Sequence, residues 1–304
     1  DGGWLGARAC LEAVKPAYDE AVRAGLPVGI GLGLKNSGLG NGFDEIAKAV
    51  VRFDPDGTLE VRHCWTEMGQ GVHNVALQVA VEELGVAAEQ IKVIVDSTRE
   101  LGAGQTTGSR GTLMGAGAVQ DACRNALLDG CQVGLDYEGT YRINWTNSLS
   151  EGLENPVIHS TFGYASQVVI LNPDNGEVSN VVAAHDVGRA VNPMLCEGQI
   201  EGAVHMGLGY ALTEGFPTDS SGRPTNMTFR SLDIIRPKDM PPVDVIIIES
   251  PQPGAPYGIK GVGEIGLVPT AGAVAAAIRS HGDSWPTELP MRNLANRERA
   301  DAWT

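Results

Sequence analysis

Glu264 closes the run Gly261-Val262-Gly263-Glu264, directly ahead of an apolar stretch that starts at Ile265. A carboxylate set among glycines and apolar side chains at a helix mouth is partly desolvated yet open to a reactant, the setting of a general base. The plainer alternative is an acid decorating a first helical turn, where acids are favoured anyway. Gln105-Thr106-Thr107-Gly108-Ser109-Arg110-Gly111 is a second candidate. Its glycines let backbone N–H groups approach a ligand, and Ser109 and Arg110 add donors; an ordinary polar turn is the alternative. Gln70 and Gln199 make a third. Each stands beside glycine and reads as the mouth of an apolar helix, in Gly69-Gln70-Gly71 and Gly198-Gln199. Helix N-termini attract anions, so two such mouths on one crevice would hold a phosphorylated cofactor. Chance repetition of a common loop dipeptide is the competing explanation.

Other chemistries find no support. There is no P-loop lysine motif and no G-x-S-x-G elbow. Gly29-x-Gly31-x-Gly33 reads as part of a strand rather than a strand-to-helix turn, so it fails as a dinucleotide fingerprint. His73, His159, His185, His205 and His281 are scattered, and none has a second His or Cys four residues away, which argues against a zinc site. The five cysteines, Cys10, Cys64, Cys123, Cys131 and Cys196, form no C-x-x-C pair and read as reduced, mostly buried thiols. The net charge of −15 opposes binding to nucleic acid or to anionic lipid. No apolar run reaches the ~20 residues of a membrane-spanning helix, and the opening residues do not read as a signal peptide. The chain opens on Asp1 in a stretch that reads like an interior helix, so we expect a piece of a longer or split polypeptide.

At 304 residues, with 42% hydrophobic side chains, the chain is long enough for two domains. Apolar periodicity predicts helices over 4–24, 73–84, 113–128, 194–212 and 265–279. Strands are predicted over 28–34, 47–53, 59–64, 91–95, 163–171, 178–185 and 244–249, with hairpin turns at Asp54-Pro55-Asp56-Gly57 and Asn172–Gly176. The polar stretch 129–156 is read as an irregular connector and the domain boundary, and the charged end 292–304, with Trp303, as a solvated helix or subunit contact.

Four motifs in order carry a resemblance: Thr66-Glu67-Met68-Gly69-Gln70-Gly71, Thr106-Thr107-Gly108-Ser109-Arg110, Gly198-Gln199-Ile200-Glu201-Gly202 and Gly261-Val262-Gly263-Glu264. A fifth, Asp186-Val187-Gly188-Arg189-Ala190-Val191-Asn192-Pro193, precedes the third. Together they resemble the C-terminal half of the molybdenum-binding subunit of the xanthine dehydrogenase and aldehyde oxidoreductase family, the molybdenum hydroxylases. The texture around Ala255–Lys260 and Val268-Pro269-Thr270 is similar to bacterial purine and nicotinate hydroxylases with a split large subunit.

The resemblance implies an α+β fold: two related α/β subdomains of mixed sheets with packed helices, residues 1–155 and 156–304, with a cofactor cleft between them and a partner chain. It implies hydroxylation of an electron-poor carbon of an N-heteroaromatic, xanthine or another purine or nicotinate, with oxygen from water. An aldehyde substrate, or a non-catalytic assembly subunit, is the alternative. The cofactor would be molybdopterin, in plain or cytosine dinucleotide form, its molybdenum bearing a sulfido or selenido ligand. By motif position Glu264 would be the base, and Gly108 would lie against the metal through its backbone. Gly69, Gln70, Gly71, Thr107, Ser109, Arg110, Gln199, Lys260, Gly261 and Gly263 would line the cofactor cleft, and Lys35 and Asn36 the substrate side. A large molybdopterin subunit supplying the other half, a [2Fe-2S] subunit and an FAD subunit are the implied partners, in the cytoplasm.

Overall fold

The computed structural model describes residues 5–102, 104–225, 227–229, 231–282 and 285–291. The tail reading at 292–304 lies outside these. Among the described residues, eight strands form two mixed four-stranded sheets. The first, in the order β4-β3-β2-β5, comprises β2 (Glu45–Phe53), β3 (Leu59–His63), β4 (Ile91–Val95) and β5 (Asp136–Ile143). The second, β1-β6-β7-β8, comprises β1 (Val28–Ser37), β6 (Thr161–Leu171), β7 (Val178–Asp186) and β8 (Val243–Ile248).

The two sheets repeat one plan. In each, a hairpin (β2–β3 or β6–β7) is followed by a helix crossing to a parallel edge strand (β4 or β8). The crossing helices are α2 (Val72–Leu84) and α4 (Pro193–Leu212). Next comes α3 (Gly111–Leu128) in the first sheet and α5 (Thr270–His281) in the second. Each of these lies so close to an antiparallel strand that only glycine fits beneath it. A Cβ on Gly139 of β5 would meet the Ala122 nitrogen at 2.1 Å, and one on Gly29 of β1 would meet the Ala277 nitrogen at 2.1 Å. The Gly-x-Gly-x-Gly of β1 is therefore a helix-packing surface. Gln70 and Gln199 both belong to these crossovers, though not at equivalent positions along them.

Sheet membership does not follow a cut at residue 155. β1 pairs along its whole length with β6, from Val28 opposite Ile170 to Ser37 opposite Thr161. The first helix, α1 (Leu5–Arg23), packs Cys10, Val14 and Ala21 onto Val168, Val182 and Ala184 of the same sheet. The N-terminal segment thus supplies the edge strand that β5 supplies in the other sheet. The second sheet is covered on both faces, by α1 on one and by α4 and α5 on the other, and central β6 is correspondingly buried on both. The first sheet packs Ala47, Ala49, Val51, Leu59 and Val61 against α2 and α3. Beyond its other face Arg52, Arg62 and Arg99 pair with Asp54, Glu60, Asp96 and Asp136.

Two expectations change. The 129–156 connector contains β5, whose inward Tyr137, Gly139 and Ile143 alternate with outward polar residues. The helix expected from Ile265 begins only at Thr270, because residues 263–269 run as successive turns ahead of Pro269. Among the described residues no helix is long and apolar enough to cross a membrane, and all five cysteines are free thiols. Burial pushes the Cys10 and Cys123 thiols up to about 12, which leaves both unreactive.

Candidate functional site

Three segments distant in sequence meet at the C-terminal end of β1. Gly38 N–H donates to the Gly108 carbonyl at 2.8 Å, and Gly261 N–H donates to Ser37 Oγ at 2.8 Å. Gly108 and Ser109 both adopt left-handed backbone, at φ 59° and 52°. Two such residues in a row turn the chain sharply and press the Ser109 carbonyl onto Gly261. A Cβ on Gly261 would sit 2.1 Å from that oxygen, so residue 261 has to be glycine.

This junction places the side chains that the motifs singled out. Ser109 Oγ donates to Glu264 Oε2 at 2.8 Å and accepts the Glu264 backbone N–H at 3.0 Å. Lys35 Nζ lies 3.1 Å from the same Oε2. The Glu264 side chain is 46% exposed, more open than the desolvated setting expected from its neighbours. It also precedes α5 by more than a helical turn, so it does not decorate a helix start. Among the described residues its Oε1 has no hydrogen-bond partner in the chain.

A shallow cleft opens on the other side of the 260–264 segment. Gln70, Arg189, Asn192, Gln199, Lys260 and Val262 are among the residues that line it. Gln70 and Gln199 therefore do face one crevice, but their positions differ from the symmetric expectation. Gln70 precedes α2, whose N-cap is Gly71. Gln199 lies well inside α4, because Asn192 caps that helix by accepting the Leu195 N–H and Pro193 occupies its first turn.

Several expected ligands are occupied within the chain. The Gln70 amide folds back on its own loop, donating to the Thr66 carbonyl at 2.8 Å and accepting the Met68 N–H. Arg110 is 4% exposed and pairs at 2.7 Å with Glu45, which is fully buried. The other Glu45 oxygen accepts the N–H groups of Leu39 and Gly40. Arg110 is thus an internal staple for the 38–45 loop rather than a cleft donor. Lys260 is likewise turned inward, 2.5 Å from the buried Asp186 and 5.5 Å from the Tyr164 ring centroid. Asp186 also accepts the N–H groups of Gly188 and Ser250. This pair locks the 186–193 turn to the 258–264 segment. Gly188 touches the Gly258 carbonyl so closely that a Cβ would clash at 2.2 Å. Thr107 and Gly263 stay exposed beside Ser109 and Glu264. Gly69, at φ 105°, has open space where a Cβ would stand, leaving its backbone approachable.

Sequence reasoning missed Glu45, Asp186 and Glu67 as site builders. Glu67 Oε1 accepts the N–H groups of Gly69 and Gly71, and Oε2 accepts that of His73. Burial opposes its ionisation, but these three donors prevail and hold it below the usual carboxylate range. An acid two residues before a Gly-Gln-Gly turn was the available signal. Nothing in the sequence pairs Arg110 with Glu45 or Lys260 with Asp186.

A family model described as a molybdopterin cofactor-binding domain matches residues 6–131 and 126–241. The chain belongs to that family. It is 28% identical over 296 residues to the 6-hydroxypseudooxynicotine dehydrogenase complex subunit gamma of Paenarthrobacter nicotinovorans, covering 84% of this chain and 37% of that one. It is 29% identical over 278 residues to the aldehyde oxidoreductase of Megalodesulfovibrio gigas, covering 83% and 30%. The solved aldehyde oxidoreductase from Desulfovibrio gigas superposes with a TM-score of 0.82 at 24% identity, over 95% of this chain and 35% of that one. Quinoline 2-oxidoreductase from Pseudomonas putida 86 gives 0.72 at 22% identity, over 94% and 44%. These likenesses establish the fold. The chain spans about a third of the length of the two curated relatives.

The cleft fits a phosphate-bearing pterin. Its lining includes Arg189, Gln70, Asn192 and Gln199, with apolar Val187, Val191, Leu195 and Val262 beside them and no Asp or Glu among the described residues. In a chain of net charge −15, an acid-free cleft beside an arginine is a setting that favours an anion.

Proposed function

We propose that this chain is the molybdopterin-binding part of a molybdenum hydroxylase that places oxygen from water on an electron-poor carbon of an N-heteroaromatic ring, of the purine or nicotinate kind. The observation that carries this reading is the 260–264 segment. Lys260 and Val262 line the acid-free cleft, while Glu264, at the far end, presents a carboxylate anchored on one oxygen only. Gln199, with Arg189, would hold the pterin and its phosphate, and the Gly108 backbone would lie toward the metal. Thr107, Ser109, Gly69 and Gly263 would border the same space.

When bound, the cofactor supplies an electrophilic redox centre and a route out for the electron pair. The residues of this chain handle the proton. Ser109 and Lys35 hold Glu264 Oε2, which leaves Oε1 to take the proton of the water-derived oxygen. The donors of Lys35 and Asn36 are taken up within the chain, so on this reading they position Glu264 and do not contact the ring themselves. A large molybdopterin subunit, a [2Fe-2S] subunit and an FAD subunit complete the proposed enzyme, which acts in the cytoplasm. An aldehyde substrate is the second reading, since an aldehyde oxidoreductase stands among the curated relatives.

The test is a native purification through this chain from molybdate-supplied cells, with molybdenum, iron and selenium measured per mole. About one molybdenum, iron in multiples of two and several co-purifying chains support the proposal. Turnover of purines, nicotinate and aldehydes then assigns the substrate, and Glu264→Gln abolishes turnover while retaining molybdenum. A stable complex without molybdenum or pterin leaves the assembly-subunit reading in its place.

A further inference from the structure

His159 lies outside every motif, in the segment leading into β6, yet its ring is fixed from three sides. Gly40, at φ 60°, presses against it so closely that a Cβ there would sit 2.2 Å from His159 Nδ1. Phe162 meets the ring edge-on with centroids 5.7 Å apart. Asn36 Nδ2 stands 3.2 Å from His159 Nδ1.

The Asn36 amide is the next link. Its Nδ2 donates to the Gly38 carbonyl at 3.0 Å and to His159 Nδ1, while its Oδ1 accepts from Lys35 Nζ at 3.2 Å. Turning the amide over would aim N–H groups at the ammonium and bring Oδ1 against two acceptors, so one orientation is selected. Lys35 then has three donors and three acceptors: Asn36 Oδ1, the Asn36 carbonyl at 3.1 Å and Glu264 Oε2 at 3.1 Å. Burial first, and the nearby Lys35 second, push the His159 pKa down against an opposing pull from Glu45. The ring is thereby kept neutral, with a lone pair for Asn36.

We propose that His159 is a positioning residue: by fixing the Asn36 amide it holds the Lys35 ammonium against Glu264 and so fixes which carboxylate oxygen is left free. Its catalytic meaning rests on the reading of Glu264 as the base. The contact itself does not, and the test uses no turnover.

The experiment is competitive acylation of the full chain with isotopic acetic anhydride, read by mass spectrometry as the Lys35 rate relative to Lys238, whose side chain is 71% exposed. In the wild-type chain Lys35 reacts more slowly than Lys238. His159→Leu removes the acceptor and raises the ratio by roughly threefold to tenfold, a typical size for coupled neighbours. Glu264→Gln raises it as well, and the double variant goes no higher than the larger single effect. His159→Gln, whose carbonyl oxygen can accept from Asn36, returns the ratio toward the wild-type value at an unchanged Tm. An unchanged ratio in His159→Leu overturns the proposal. So does a His159→Gln chain as reactive as His159→Leu, which would make the ring a packing element only. Either failure leaves the cofactor reading standing, and loss of that reading leaves the labelling result intact.

Discussion

Ser109 and Glu264, 155 positions apart, are joined by one hydroxyl that donates to the carboxylate at 2.8 Å and accepts the backbone N–H of the same residue at 3.0 Å. The serine thereby fixes both the side chain and the main chain of the proposed base. It does so from a left-handed conformation that non-glycine residues rarely adopt. Strain of this kind persists where the surroundings over-determine it, here through Gly38 and Gly261.

Replacing Ser109 separates its two roles. Ser109→Ala and Ser109→Gly both remove the hydroxyl, and both should lower turnover of the metal-loaded complex by about tenfold or more, the loss of one hydrogen bond to a charged group. Ser109→Gly also relieves the positive φ, so its Tm should equal or exceed that of the wild type, whereas Ser109→Ala gains nothing. Full turnover in both variants would make the contact incidental to the chemistry.

Glycine substitutions test the packing of the site against the packing of the fold. A Cβ on Gly261 would overlap the Ser109 carbonyl, and backbone on both sides has little room to yield. Gly261→Ala should therefore destabilise the chain by about 1–3 kcal/mol and lower turnover further than its Tm implies. Gly202, inside α4, has nothing within 4 Å of its missing Cβ. Gly202→Ala should leave Tm unchanged or raise it, since alanine gains about 0.5–1 kcal/mol over glycine in a helix. Urea denaturation of the two variants side by side checks both signs.

The contrast between these glycines shows how far the sequence could be read. Apolar periodicity located α2, α3 and α4 within a residue or two, because each has one face against a sheet and a clear stop. β5 escaped because its inward positions are Tyr137, Gly139, Tyr141 and Ile143, a weak apolar signal among charged neighbours. The edge partner of β6 escaped because β1 arrives from the far N-terminus, and pairing at that separation leaves no local trace. The site shows the same division. Glu264, Ser109 and Lys35 were all singled out, and the fold brings them within 3.1 Å. Whether Arg110 and Lys260 point outward or inward depended on Glu45 and Asp186, which only the tertiary structure places beside them.

The Arg110–Glu45 pair should behave as a buried charge pair rather than as a ligand site. Removing the guanidinium leaves Glu45 with the Leu39 and Gly40 N–H groups but no counter-charge at zero exposure. Arg110→Met should cost about 3–5 kcal/mol in urea unfolding. Adding Glu45→Gln should recover more than half of that loss, because the uncompensated charge is gone while an acceptor for the loop remains. Strict additivity of the two changes would mean that Arg110 acts outside the pair, which would restore it as a cleft donor.

Acid sensitivity should come first from two histidines that play no part in the proposed chemistry. Burial pushes His185 down to about 4, and burial together with neighbouring His73 does the same for His63. Above the unfolded value of 6.5 both states are neutral, and stability is at its full level. As pH falls from 6.5 toward 4 the unfolded chain takes up protons that the folded chain refuses, so stability falls by up to about 3 kcal/mol per histidine. Below about 4 this loss levels off. There the low-lying carboxylates, Glu67 and Asp136 among them, begin to protonate in the native state and extend the decline. Urea midpoints measured between pH of about 7 and 4.5 should therefore drop steeply, and His63→Phe, which keeps the stack on Trp65, should flatten the slope by about half. A midpoint constant over that range would show that both rings bind protons in the folded chain as readily as in the unfolded one.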